Sequence, residues 1–221
     1  LLVTVGSTAD FAITYGLTSG VTANTTRGKV VGSLLRTRLV DESSPLVYGI
    51  SDNLAVYSDD GGSFSVSNTR GGSRGSRFGG GEGVRETGRG TVDDPDVPQG
   101  RPALAPRNMA PVRGTVEPWQ ASPITDDQLR SPLSVIPPDQ RPRVALRFTD
   151  QRDLLVSGLL DGGSDIAQRP AVVDVPVQKG HIILFANNPI YRGETIGTYS
   201  LVFNAILNFD HLDAGRKLDA R

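Results

Sequence analysis

Cysteine is absent from this chain of 221 residues. That lack removes disulfides, thiolate metal ligands and a cysteine nucleophile together, and it leaves the redox compartment open. Histidine is almost as scarce, with only His181 and His211. Neither begins an H-x-x-E, and they lie thirty residues apart, where a catalytic zinc site of the carboxypeptidase kind needs two histidines and a glutamate. A strand histidine and a solvated helix-end histidine are the plainer readings. Charge of one sign is missing too. The net charge is −1 and the pI about 6.2, so no overall field favours nucleic acid or a membrane surface. No apolar run approaches the length of roughly eighteen residues that a spanning helix needs. No G-x-x-x-x-G-K-[ST] occurs, and Ser7 is not set in a G-x-S-x-G.

What is present is an alternation of short apolar strands and helical patterns. LLVTV opens the chain without a methionine or a charged leader, and reads as a strand inside a longer protein. Ser7 or Thr8 then caps a helix through ADFAITYGL that ends near Gly16. In VVGSLLRTRLV, Leu35, Thr37 and Leu39 alternate with Arg36 and Arg38, the pattern of a half-exposed strand. Segments 54–58 and 64–67 suggest a hairpin across SDDGGS. After residue 142, VALRF, AVVDVPV and KGHIILFAN read as strands, DLLVSGLLDGG as a strand or short helix ending in glycines, and SDIAQ as a helical turn. AVVDVPV and KGHIILFAN are too close for a parallel crossover and must form an antiparallel hairpin. Residues 197–209 carry Tyr199, Val202, Phe203, Ile206, Leu207 and Phe209 near helical spacing, which predicts a helix with Val202, Phe203, Ile206 and Leu207 in the core. A polar tail over 212–221 is expected to fray.

Between these halves the composition changes. Residues 71–90 hold nine glycines, residues 95–142 eleven of the fifteen prolines, and 70–143 eleven arginines. Such a stretch buries too little apolar surface to offset its ordering entropy, so 68–142 reads as an irregular excursion. The organisation expected is therefore 1–67 and 143–211 as two parts of one α/β domain, separated by the excursion and followed by the tail. Arg70, Arg74, Arg77, Arg85 and Arg89 with Phe78 resemble a flexible RNA-binding tract. Nine acids within 70–143 nearly balance its arginines, so counterion release supplies little and no nucleic-acid partner is expected.

Sites are few. Ser7 after a strand lacks the elbow motif and is better explained as a cap. Asp59-Asp60, Asp93-Asp94 and Asp126-Asp127 suit solvated turns. The loop after the 181–187 strand is the remaining candidate, because ligands of open α/β sheets bind beyond the carboxyl ends of strands. Asn187, Asn188, Tyr191, Arg192 and Glu194 are its chemistry-bearing residues. Arg192 suits a carboxylate and Tyr191 a stacking partner. The two asparagines and Pro189 also serve simply to shape a strand-to-helix turn.

Three segments, LLVTVGSTADFAITYGL, VVGSLLRTRLVDESSPLVYGISDNLAVYS and DLLVSGLLDGGSDIAQRPAVVDVPVQKGHIILFANNPIYRGETIGTYSLVFNAILNF, together resemble the C-terminal region of large bacterial zinc carboxypeptidases of the carboxypeptidase A family. In those proteins a class I glutamine amidotransferase-like domain follows the peptidase. The likeness covers most of the chain outside 68–142. It implies a mixed, mostly parallel flavodoxin-like sheet, incomplete at its N-terminal side. It also implies a secreted or periplasmic protein and an upstream zinc-dependent peptidase as partner. None of the peptidase's zinc ligands or its general-base glutamate has a matching position, and the amidotransferase cysteine is missing. The resemblance thus implies a non-catalytic accessory domain without a cofactor of its own. The alternative is a module binding a small molecule, carbohydrate or peptide through 187–194.

Overall fold

The computed structural model describes residues 1–70, 119–121, 123–125, 128 and 134–216. Their strands are β1 (Leu2–Val5), β2 (Val21–Asn24), β3 (Val30–Leu39), β4 (Ala55–Ser58), β5 (Ser63–Val66), β6 (Arg143–Phe148), β7 (Leu155–Leu160), β8 (Pro170–Val177) and β9 (Gly180–Phe185). The helices are α1 (Ser7–Thr14), the single turn α2 (Gln151–Leu154) and α3 (Ile196–Leu207). Seven strands form one curled mixed sheet in the order β1-β9-β8-β6-β3-β4, with β7 also on β3. The mixed α/β character expected from the sequence is therefore present, but a mostly parallel sheet is not. Among the described strands only β1 and β9 run parallel, while β8–β9, β6–β8, β3–β6, β3–β7 and β3–β4 are antiparallel. The reason lies in the connections. Gln178 and Lys179 alone join β8 to β9, with Val177 opposite Gly180 and Gln178 at φ 55°, and so short a link can only reverse the chain.

β3 causes the curl. Its first half pairs with β7 and its last residues with β6, and the register slips between Val31 and Leu34 around Gly32, which sits at φ 58°. The predicted alternation holds there: Leu35 and Thr37 are buried, Arg36 and Arg38 half-buried. The hairpin expected from 54–58 and 64–67 does not form. β4 pairs with β3, whereas β5 joins β2 in a separate ribbon with Val21 opposite Val66. Val56 and Phe64 belong to different layers, so the two strands serve opposite faces of the sheet.

Each face has its own core. On one side Leu35, Val56, Leu146, Phe148, Ile183 and Phe185 meet Leu201 and Ala205 of α3. On the other, Val144, Val173, Val175 and Leu184 meet Ala9 and Ala12 of α1 and the β2–β5 ribbon. α1 begins at Gly6 (φ 52°, ψ −123°), a strand-to-helix turn open to glycine. Ser7 is its first residue rather than its cap. Thr8 Oγ1 instead closes the turn, accepting from Val5 N at 2.7 Å and donating to Val5 O at 2.8 Å.

α3 is present where the periodicity places it, but rotated. Thr198, Leu201 and Ala205 face the core and Val202 is half-buried, while Phe203, Ile206 and Leu207 point outward. Small residues let the helix approach the sheet, and the Thr198 hydroxyl is satisfied by the carbonyls of Pro189 and Thr195. The Asn204 amide donates to Leu46 O (3.1 Å) and Tyr48 O (2.8 Å), which fixes the rotation about the axis.

The described ends of the 68–142 stretch meet each other. Thr69 bridges Val135, Arg70 N donates to Ser134 O (2.7 Å) and Ile136 N to Asn68 O (2.8 Å), with Ile136 buried. The irregular excursion expected between them falls largely outside the described residues. Of the tail, residues 212–216 do not fray: Leu212 is buried, and Arg143 Nη1 donates to Leu212 O and Ala214 O. Among the described residues no helix is long and apolar enough to cross a membrane.

Candidate functional site

The polar groups of β9 gather at its two ends. Beyond its C-terminal end, the loop residues chosen from sequence fold mainly onto one another and onto β4. Asn188 N donates to Tyr57 O (3.0 Å), and Asn188 Oδ1 accepts from Ile190 N (3.2 Å), an Asx turn that starts the loop. Tyr191 lies flat on the buried ring of Tyr57, with centroids 3.8 Å apart and planes 6° apart, and Arg192 stands over the Tyr191 ring at 5.1 Å. The Tyr57 phenol is pushed up to about 12, first by the Tyr191 phenol beside it and then by burial. Tyr191 is thus already stacked on one side by a tyrosine and has a guanidinium over its ring. Arg192 (φ 43°) and Glu194 are exposed, and Glu194 N closes the turn on Tyr191 O (3.0 Å). Asn187 differs from the rest. It is 1% exposed, and neither its amide oxygen nor its amide nitrogen has a hydrogen-bond partner. A buried amide left so is costly, of order 1–3 kcal/mol.

At the start of β9 the arrangement is the opposite. Asp174 and His181 are diagonal neighbours across the β8–β9 hairpin, and His181 Nδ1 lies 2.7 Å from Asp174 Oδ1. The second Asp174 oxygen accepts from Arg216 Nη2 at 3.3 Å. Arg216 Nε reaches Asp213 Oδ1 at 3.0 Å, Arg216 Nη1 reaches Arg141 O at 2.7 Å, and Asp213 Oδ2 stands 3.4 Å from His181 Nε2. Burial alone would lower the His181 pKa. The Asp174 hydrogen bond and charge, with Asp213 behind them, outweigh that and hold the imidazole above its usual range. Beside this knot the buried Arg143 binds Asp41 (2.7 Å) and Ser43 (3.0 Å). Burial opposes the Asp41 charge, but the Arg143 and Ser43 hydrogen bonds win and lower its pKa. Sequence reasoning placed His181 on a strand and missed this network. An aspartate inside the apolar run AVVDVPV was the available signal, since a lone buried carboxylate demands a partner.

The other candidates stay apart. Ser7 follows the end of β1 level with Phe185, whereas His181 lies at the opposite end of β9, roughly 13 Å or more away at the strand rise. His211 is exposed, its Nε2 3.6 Å from Asp210. Among the described residues no three histidine, cysteine, aspartate or glutamate side chains converge on a point that suits a metal. A notch between Gly6, Asp10, Asn24, Asp60 and Phe64 encloses about 10 Å³, room for one water, far below the size of a metabolite site. Burial, and after it the charge of Asp60, raise the pKa of Asp10 there. Asp60 Oδ1 also accepts from Gly62 N (2.9 Å), a turn bond. Arg74, Arg77, Phe78, Arg85, Arg89, Asp93, Asp94, Asp126 and Asp127 lie outside the described residues. Comparison with protein-family models, with curated proteins and with solved structures finds no match to this chain.

Proposed function

We propose that this chain is a non-catalytic accessory domain of a secreted or periplasmic zinc metallocarboxypeptidase, docked on the peptidase part of the same polypeptide. The observation that supports docking is the character of one sheet edge. Among the described residues β1 is paired on one side only, Leu1 and Leu2 are exposed there, and the adjoining α1 turns Phe11 and Tyr15 outward with their rings 4.4 Å apart. Open strand edges and clustered aromatics are what a domain covers with a neighbour. The peptidase chemistry itself rests on the sequence resemblance. Two measurements test the reading. The chain supplied with zinc should leave C-terminal peptide substrates intact, and chelator-sensitive turnover would reject it. Added in trans to the peptidase part, the chain should bind, and Phe11→Asp should weaken binding at least about tenfold. No binding would reject it equally.

A second reading takes the 187–194 loop as a site for a small carboxylate, sugar or peptide, and the unpartnered amide of Asn187 favours it. Ligands of those classes should then raise the melting temperature, and Arg192→Ala should abolish the shift. No shift with any of them removes this reading.

A further inference from the structure

The outward face of α3 has a pattern that its own core does not use. Ile196, the half-buried Tyr199, Phe203 and Ile206 recur at spacings of three, four and three residues, the repeat by which one helix seats against another, and Leu207 lies beside them. Ile196 is 71% exposed, Phe203 58% and Leu207 76%, and Phe209 continues the ridge past the helix end. No charged side chain occurs between Glu194 and Asp210, so the whole helix can be covered without burying a charge.

We infer that this face is a self-association surface, occupied by the same face of a second copy of the chain. Three features favour a copy over another partner. A charge-free seam at helical spacing is complementary to itself, as a twofold interface requires. At roughly 200 Å² for each large apolar side chain, the exposed portions amount to on the order of 600–700 Å² per copy, close to the ~800 Å² of a stable interface. The flanking charges favour one direction: set antiparallel, Arg192 and Glu194 of each copy, together neutral, fall at the Asp210 end of the other, and the two helix dipoles oppose. A parallel pair would bring Asp210 against Asp210. The inference is independent of the docking edge, because α3 and α1 cover opposite faces of the sheet.

Sedimentation equilibrium of the whole 221-residue chain decides it. A dimer with Kd on the order of 10 µM is expected from an interface of this size. Phe203→Asp should raise that Kd at least about fiftyfold, with circular dichroism and melting unchanged in the monomer. Leu207→Lys gives the same test at a more exposed position should Phe203→Asp fold poorly. Asp210→Arg alone should weaken the dimer, and Arg192→Asp in the same chain should restore it. A monomer up to about 200 µM, or a dimer indifferent to both apolar substitutions, overturns the inference. The monomer result would leave the face to a different partner and the docking edge untouched.

Discussion

The two ends of β9 make an instructive pair. At His181 each buried charge has an opposite charge against it, and the knot ties Asp213 and Arg216 to the sheet. Six residues along, at Asn187, a polar side chain is buried as deeply and has no partner. One end is organised for stability, in that removing its buried aspartate strands charge in the interior. The other keeps an unspent hydrogen-bonding capacity next to an exposed loop, which is the condition under which a polar ligand gains most.

The comparison breaks most readily at Asp174. Asp174→Ala leaves His181 and Arg216 without their common buried partner and should cost about 3–5 kcal/mol in denaturant unfolding. Asp213→Ala, at the exposed rim of the same knot, should cost no more than about 0.5 kcal/mol. Equal effects would mean that burial does not govern the network. Next in size is pH. The folded-state pKa of His181 is raised, so its contribution is complete below the ordinary value of 6.5 and is lost as pH rises through the higher folded value. Stability should fall over that window with a slope of at most about 1.4 kcal/mol per pH unit, and His181→Gln should flatten it. The smallest effect is expected at the other end. Asn187→Leu removes an amide that bonds to nothing, so stability should stay within about 1 kcal/mol or rise. A loss beyond about 2 kcal/mol would show that the amide is in use, and the contrast between the two ends would disappear.

Strands were legible wherever one face alone is buried. The alternation of Leu35 and Thr37 with Arg36 and Arg38 survives in β3, and the short link at Gln178-Lys179 dictated the β8–β9 hairpin. Partners in the sheet were harder. β4 and β5 sit next to each other in sequence, yet Val56 and Phe64 serve opposite cores, and no local signal says which layer a strand joins. α3 was located but wrongly turned, because it is apolar nearly all round. The tie-breakers were a buried threonine and the two carbonyls held by Asn204, contacts that exist only once the neighbouring elements are in place. The candidate loop was found as a loop, but the sequence could not reveal that Tyr191 would spend its ring on Tyr57. The His181 knot was missed because its members lie at 174, 181, 213 and 216, and only the hairpin register and a buried Leu212 bring them together.

The lone parallel pairing has a kinetic consequence. Leu2 lies opposite Ile182, so β1 cannot be seated until nearly the whole domain has been synthesised. At ~5–20 residues per second a ribosome takes on the order of ten to forty seconds to cover that span. β1 is therefore held in waiting while β6, β8 and β9 are made and assembled. Closure of the β1–β9 pair thus comes late in the folding of this domain, because its partner strand is among the last made.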